Sequence, residues 1–82
     1  MAITRDEFVR RCTAEKMLGG WVGHGGLYWR VPILYLLCWI EDTGTVCIIT
    51  NTPTALDDIL RYRIAEFDNL DAAFATYTLL NP

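Results

Sequence analysis

His24 is the only histidine among the 82 residues, and so the one side chain whose ordinary pKa suits proton transfer near neutrality. It stands among glycines, in the run Gly19-Gly20-Trp21-Val22-Gly23-His24-Gly25-Gly26. A cysteine–histidine nucleophile would need an accessible thiol beside that imidazole. Cys12 instead falls on the apolar side of an expected helix, and Cys38 and Cys47 fall inside apolar segments, where thiols are inert. The three thiols and the imidazole are spaced by 12, 14 and 9 residues, which matches no metal-ligand pattern. Glu41-Asp42 and Asp57-Asp58 are chain neighbours, better explained by a turn and a helix start than by paired acid and base roles. The sequence therefore predicts no catalytic residues, no metal, no cofactor, and a protein that is not an enzyme but acts by binding.

The glycine run invites comparison with phosphate loops, but those pass from a strand into a helix N-terminus and carry a Lys or Ser/Thr. Here the run passes from a helix toward a strand, so a glycine-rich hairpin turn that sets Trp21 opposite Tyr28 or Trp29 is the reading preferred. Trp21, His24, Tyr28, Trp29 and Arg30 around that turn are the candidate partner-binding residues, because aromatic residues and Arg bury much area at small entropic loss. The competing reading folds Trp21 and Trp29 back over the sheet as core.

Net charge is −3, and it is unevenly placed. Acids and bases balance over residues 1–50, while Asp57, Asp58, Glu66, Asp68 and Asp71 outweigh Arg61 and Arg63 in the remainder. These five acids are the candidate acidic surface, suited to steering toward a basic partner. Nothing resembles the clustered Lys and Arg with which phosphate backbones are bound, so direct nucleic-acid binding is disfavoured. With 52% hydrophobic residues, three Trp and four Tyr, the chain carries more apolar area than so small a core readily hides, which points to a partner or a homodimer. Its longest apolar run, residues 31–40, is about half of the ~20 residues needed to cross a bilayer. No signal-like segment opens the chain and the cysteines are odd in number, so a cytoplasmic protein with reduced thiols and no membrane association is expected.

The elements that must position these residues are read as one α+β domain over residues 1–82. Thr4 and Glu7 form a capping box, with Ile3 packing on Phe8, and open a first helix that buries Phe8, Val9 and Cys12. Gly19 and Gly20 are expected to end it. Residues 31–40 and 45–50 read as a hairpin joined by Asp42-Thr43-Gly44, pairing Ile40 with Val46, Trp39 with Cys47, Cys38 with Ile48 and Leu37 with Ile49. This register puts Cys38 and Cys47 on opposite faces of a sheet of two to four strands, arranged as a meander or hairpin. Pro32 bends or breaks the first of these strands; a rival reading makes it the start of a short buried helix. Thr52 or Thr54 is expected to cap a helix with Leu56, Ile59, Leu60, Ile64 and Phe67 on its inner side. Asp68 or Asn69 then caps a last helix facing inward through Leu70, Ala73, Phe74 and Tyr77, so that two C-terminal helices pack on the sheet.

Two classes of function follow. One is a small acidic protein-interaction domain that docks on a larger protein as an inhibitor, an immunity-type or phage-type antagonist, or an adaptor in a bacterial or phage setting. The alternative is a small ligand- or nucleic-acid-binding module in which Trp21, Tyr28 and Trp29 stack on a base and Arg30 meets a phosphate.

Overall fold

In the computed structural model, which describes residues 2–31, 34–51, 53 and 55–82 (Leu56 by its backbone alone), the chain is an α+β fold around one antiparallel sheet. The elements are α1 (Arg5–Ala14), β1 (Leu18–Val22), β2 (Gly25–Trp29), β3 (Leu36–Ile40), β4 (Thr45–Ile49), α2 (Leu56–Tyr62), β5 (Arg63–Phe67) and α3 (Leu70–Leu80). The strands lie side by side in chain order, β1 to β5, so β1 and β5 are the edges. No helix among the described residues is long and apolar enough to cross a membrane.

The Thr4 half of the capping box is present, with Glu7 N–H donating to the Thr4 hydroxyl at 3.2 Å, and Phe8 and Cys12 are fully buried. The helix stops earlier than expected, at Ala14, because Lys16 takes the left-handed conformation (φ 57°) usually left to glycine. Gly19 and Gly20 are thereby released into β1, and the sheet has five strands where two to four are expected.

Both apolar faces of the central hairpin are covered. Leu37, Trp39, Val46 and Ile48 pack under α1 and α3, against Phe8, Cys12, Phe74 and Tyr77. Leu27, Leu36, Cys38, Ile40, Cys47 and Ile49 pack with Ile59 of α2 on the opposite face. The two C-terminal helices thus lie on different faces of the sheet. Burying each of these large side chains is worth about 1.5–3 kcal/mol, so neither face is dispensable.

The register differs by one residue from the expected one. Ile40 pairs with Thr45, Trp39 with Val46, Cys38 with Cys47 and Leu37 with Ile48. Glu41 N–H is taken by the His24 carbonyl at 2.7 Å, which keeps Glu41 in a four-residue loop closed by Gly44 (φ 65°), whose N–H donates to Ile40 O. A slip of one turns every β4 side chain to the other face, which is why Cys38 and Cys47 share a face here; both are free thiols. Residues 36–40 are strand, not helix; the expectation for Pro32 lies outside the described residues.

The expected long helix after the sheet is divided. α2 ends at Tyr62, and residues 63–67 form β5 on β4, with a bulge that leaves Ile64 as the extra residue between Arg63 and Ala65. The helix start is at Ala55, with no side-chain cap; the expected caps Thr52 and Thr54 lie outside the described residues. Asn69 caps α3 as expected, its Oδ1 accepting from Ala72 N–H at 2.9 Å, with Ala73, Phe74 and Tyr77 buried.

Candidate interaction surface

Trp21 sits where β1 turns into β2. The two-residue loop Gly23-His24 closes the hairpin with positive φ (57°) at Gly23, as glycine permits at the first loop position. Trp21 lies opposite Gly26, and the indole lies down over that glycine: a Cβ there would stand 2.7 Å from Trp21 Cζ3. Its edge meets Trp39 at 6.2 Å between centroids and 77°, and the Arg5 guanidinium stands 4.4 Å over the ring. Trp21 nonetheless keeps 45% of its surface exposed. With Arg5, Gly23, Gly25, Trp39 and Glu41 it lines a cleft of about 200 Å³. That is below the ~300–1,000 Å³ of ordinary ligand pockets. His24 is exposed at the turn, its Nδ1 3.7 Å from Glu41 Oε2.

The other candidate residues do not join Trp21 and His24. Tyr28 shares Trp21's face but is half-buried, edge-on to Phe8 at 5.3 Å. Trp29 lies on the opposite face, packed against the core around Leu27 and Ile59. Arg30 is held by Glu15 at 2.6 Å and gives its backbone N–H to the Tyr77 hydroxyl at 3.3 Å; its Nε is buried without a hydrogen-bond partner. Glu15 also meets Arg11 at 3.4 Å, and Arg11 meets Asp71 at 2.7 Å, so a chain of charges ties β2 to α1 and α3. The Asp71 carboxylate is the main cause of a raised Arg11 pKa. Arg30 is therefore part of the framework.

The acidic residues are divided between the two faces of the sheet, with Asp57 and Asp58 on the face of α2 and Asp68 and Asp71 on the face of α1 and α3. Asp57 and Asp58 open α2, Asp68 precedes α3, Asp71 is bound to Arg11, and Glu66 on β5 accepts from Thr45 at 2.7 Å and meets Arg63 at 3.5 Å. The thiols offer no nucleophile: burial pushes Cys12 and Cys38 up to about 12 and Cys47 to about 11.

The sequence anticipates the hairpin turn but not its register or the reach of β1: Trp21 pairs with Gly26, not with Tyr28 or Trp29, and the strand begins at Leu18. Closure by a two-residue loop makes Val22 and Gly25 exchange their N–H and C=O groups. By alternation Leu18, Gly20 and Val22 aim their backbone groups at β2, while Gly19 and Trp21 aim theirs out of the sheet. The strand carries no charge, Leu18 is 58% exposed, and a Cβ on Gly20 would meet nothing within 4 Å. Alternation between Leu18 and Val22 on one face and Trp21 on the other was the available signal, masked by reading the glycine pair as a helix stop. No family model matches this chain, and neither the curated proteins nor the solved structures contain a match.

Proposed function

We propose that this protein is a protein-interaction domain that acts by binding rather than catalysis, and that it binds by accepting a strand of its partner along the outer edge of β1. The observation that carries this reading is a charge-free edge strand with the Gly19 and Trp21 backbone groups directed outward beside exposed Leu18 and Trp21. Open edges of this kind are ready-made templates for another chain, and main-chain bonds would supply affinity while alternate side chains supply selectivity. The acids at Asp57, Asp58, Glu66, Asp68 and Asp71 lie outside β1, on α2, β5 and the start of α3, where they suit long-range steering toward a basic protein. An inhibitor, antagonist or adaptor working in the cytoplasm fits this division of labour. The base-stacking alternative has less support, since Trp21 and Trp29 lie on opposite faces and Arg30 is held by Glu15.

The test is capture from a lysate of the source organism with the tagged protein and with Leu18→Asp, which places a charge on an exposed edge position and leaves the core intact. A protein retained by the parent and lost by the folded variant is the expected result. Equal retention by both, or oligonucleotide binding that weakens steeply with salt in place of protein capture, would overturn the reading.

A further inference from the structure

We infer that the strand received by β1 is β1 of a second copy, paired antiparallel about a two-fold axis through Gly20. This deepens the edge-binding reading above and rests on it. Antiparallel pairing centred on Gly20 sets Leu18 against Val22 and Gly19 against Trp21 of the second copy, in both directions. Gly19 and Trp21 are the residues whose N–H and C=O point outward, so each Gly19–Trp21 pair exchanges both groups, as an antiparallel hydrogen-bonded pair requires. Gly20 faces Gly20 at the axis, in the closer, non-hydrogen-bonded kind of pair. The open space around that position leaves the approach free.

The side chains agree with the backbone. On the face of α2, Leu18 meets Val22 of the second copy. Val22 and Trp29 pack against the core of that face, and Leu18 lies opposite Trp29, so the apolar layer would run unbroken from one copy into the other. On the face of α1, Trp21 lies across Gly19 of the second copy, over which the Tyr28 ring is folded: a Cβ at Gly19 would meet that ring at 2.1 Å. An aromatic residue set against an edge glycine is a recognised way of completing such a strand.

Charge is complementary as well. β1 itself is neutral, so no charged side chain of the strand opposes its counterpart across the axis. At the ends the two-fold brings Lys16 of one copy to the Gly23-His24 turn of the other, where Glu41 stands 3.7 Å from His24. Each copy supplies the cation at one end and the carboxylate at the other, as an isologous contact demands.

Sedimentation equilibrium of the full chain from about 1 μM to about 1 mM tests this. The expected species has twice the 9.4 kDa chain mass. Gly20→Lys and Gly20→Glu, each folded by circular dichroism, set like charges against each other at the axis and weaken dimerisation at least about tenfold. Mixing the two restores it, which a single-charge effect on folding or on another surface would not do. In the unaltered protein the Gly19 and Trp21 amides should exchange slowly in the dimer and rapidly on dilution, and this measurement stands even where a variant fails to fold. A monomer throughout the range, or a dimer indifferent to both substitutions with Gly19 and Trp21 exchanging rapidly, overturns the inference. If the protein is monomeric and yet loses a captured partner on Leu18→Asp, only the second copy is refuted. If neither dimer nor edge-dependent capture is found, the edge-binding reading falls with it.

Discussion

At one edge of the sheet, β1 reads Leu18-Gly19-Gly20-Trp21-Val22, with no charge and an unbroken ladder to β2; at the other, β5 reads Arg63-Ile64-Ala65-Glu66-Phe67, with two charges and a bulge at Ile64. β5 has the features by which edges resist further pairing, and α3 packs against it as well. β1 has none of them. Protection at one edge and its absence at the other is the difference on which the proposed edge-binding reading rests. It also separates two tasks: β5 contributes to the core through Ala65 and Phe67, while Leu18 and Trp21 hold apolar surface in reserve.

The largest expected effect checks that the contrast is confined to the edges. In β3 and β4, Cys38 and Cys47 sit at about 12 and about 11, and Cys12 in α1 at about 12, against an ordinary value of 9.0, chiefly through burial. Below pH 9 both folded and unfolded chains hold these protons, so this contribution is fully present. Above it the unfolded chain releases them first, and stability should fall with rising pH by up to about 1.4 kcal/mol per thiol per unit until the folded values are reached. Urea melts at pH 8 and pH 10.5 would measure the loss, and in the native protein at pH 8 the thiols should resist modification.

Next in size is the comparison of side chains at the two edges. Phe67→Ala should cost about 2 kcal/mol, because the ring packs against the core beneath α3. Leu18→Ala should cost less than about 0.5 kcal/mol in the monomer, since Leu18 is largely exposed. Comparable losses in chemical denaturation would mean that β1 is as integrated as β5. Within β1, adjacent glycines should behave oppositely. Gly19→Ala drives a methyl into the Tyr28 ring and should destabilise by about 1–3 kcal/mol, whereas Gly20→Ala enters open space and should be neutral or stabilising by about 0.5 kcal/mol. The smallest effect is at the charged edge: Glu66→Gln weakens the contacts with Thr45 and Arg63 and should cost no more than about 0.5 kcal/mol, because that ion pair is exposed and screened.

Much of the framework was readable where a local rule and the tertiary structure agreed. Thr4 and Asn69 cap the helices their positions announce, and residues 36–40 and 45–49 pair as their β-branched and apolar content suggests. The failures are places where a distant partner decided a local choice. Glu41 could face Thr45 in a shorter loop, but its amide is claimed by His24 in another hairpin, and the register moves by one. β5 imitated a helix because its bulge inserts Ile64 and destroys the alternation of inward Ala65 and Phe67, leaving Ile59, Ile64 and Phe67 near helical spacing. Of the candidate site, Trp21 and His24 do share one corner. Trp29 is separated from it by the two-faced geometry of a strand, Tyr28 by packing edge-on against Phe8, and Arg30 by its bond to Glu15.

The agreement between strand order and chain order bears on how the molecule is made. Each of the first three ladders joins consecutive strands across a short connection, so the sheet can zip from β1 to β4 as the polypeptide emerges, with small loop-closure entropy at every step. α3 follows last of these elements, and its contacts reach furthest back along the chain: Tyr77 to Arg30, Asp71 to Arg11, and Asn81 to the backbone of Leu34 and Tyr35. Until it docks, the sheet is paired but its two-helix face lacks one of its covers.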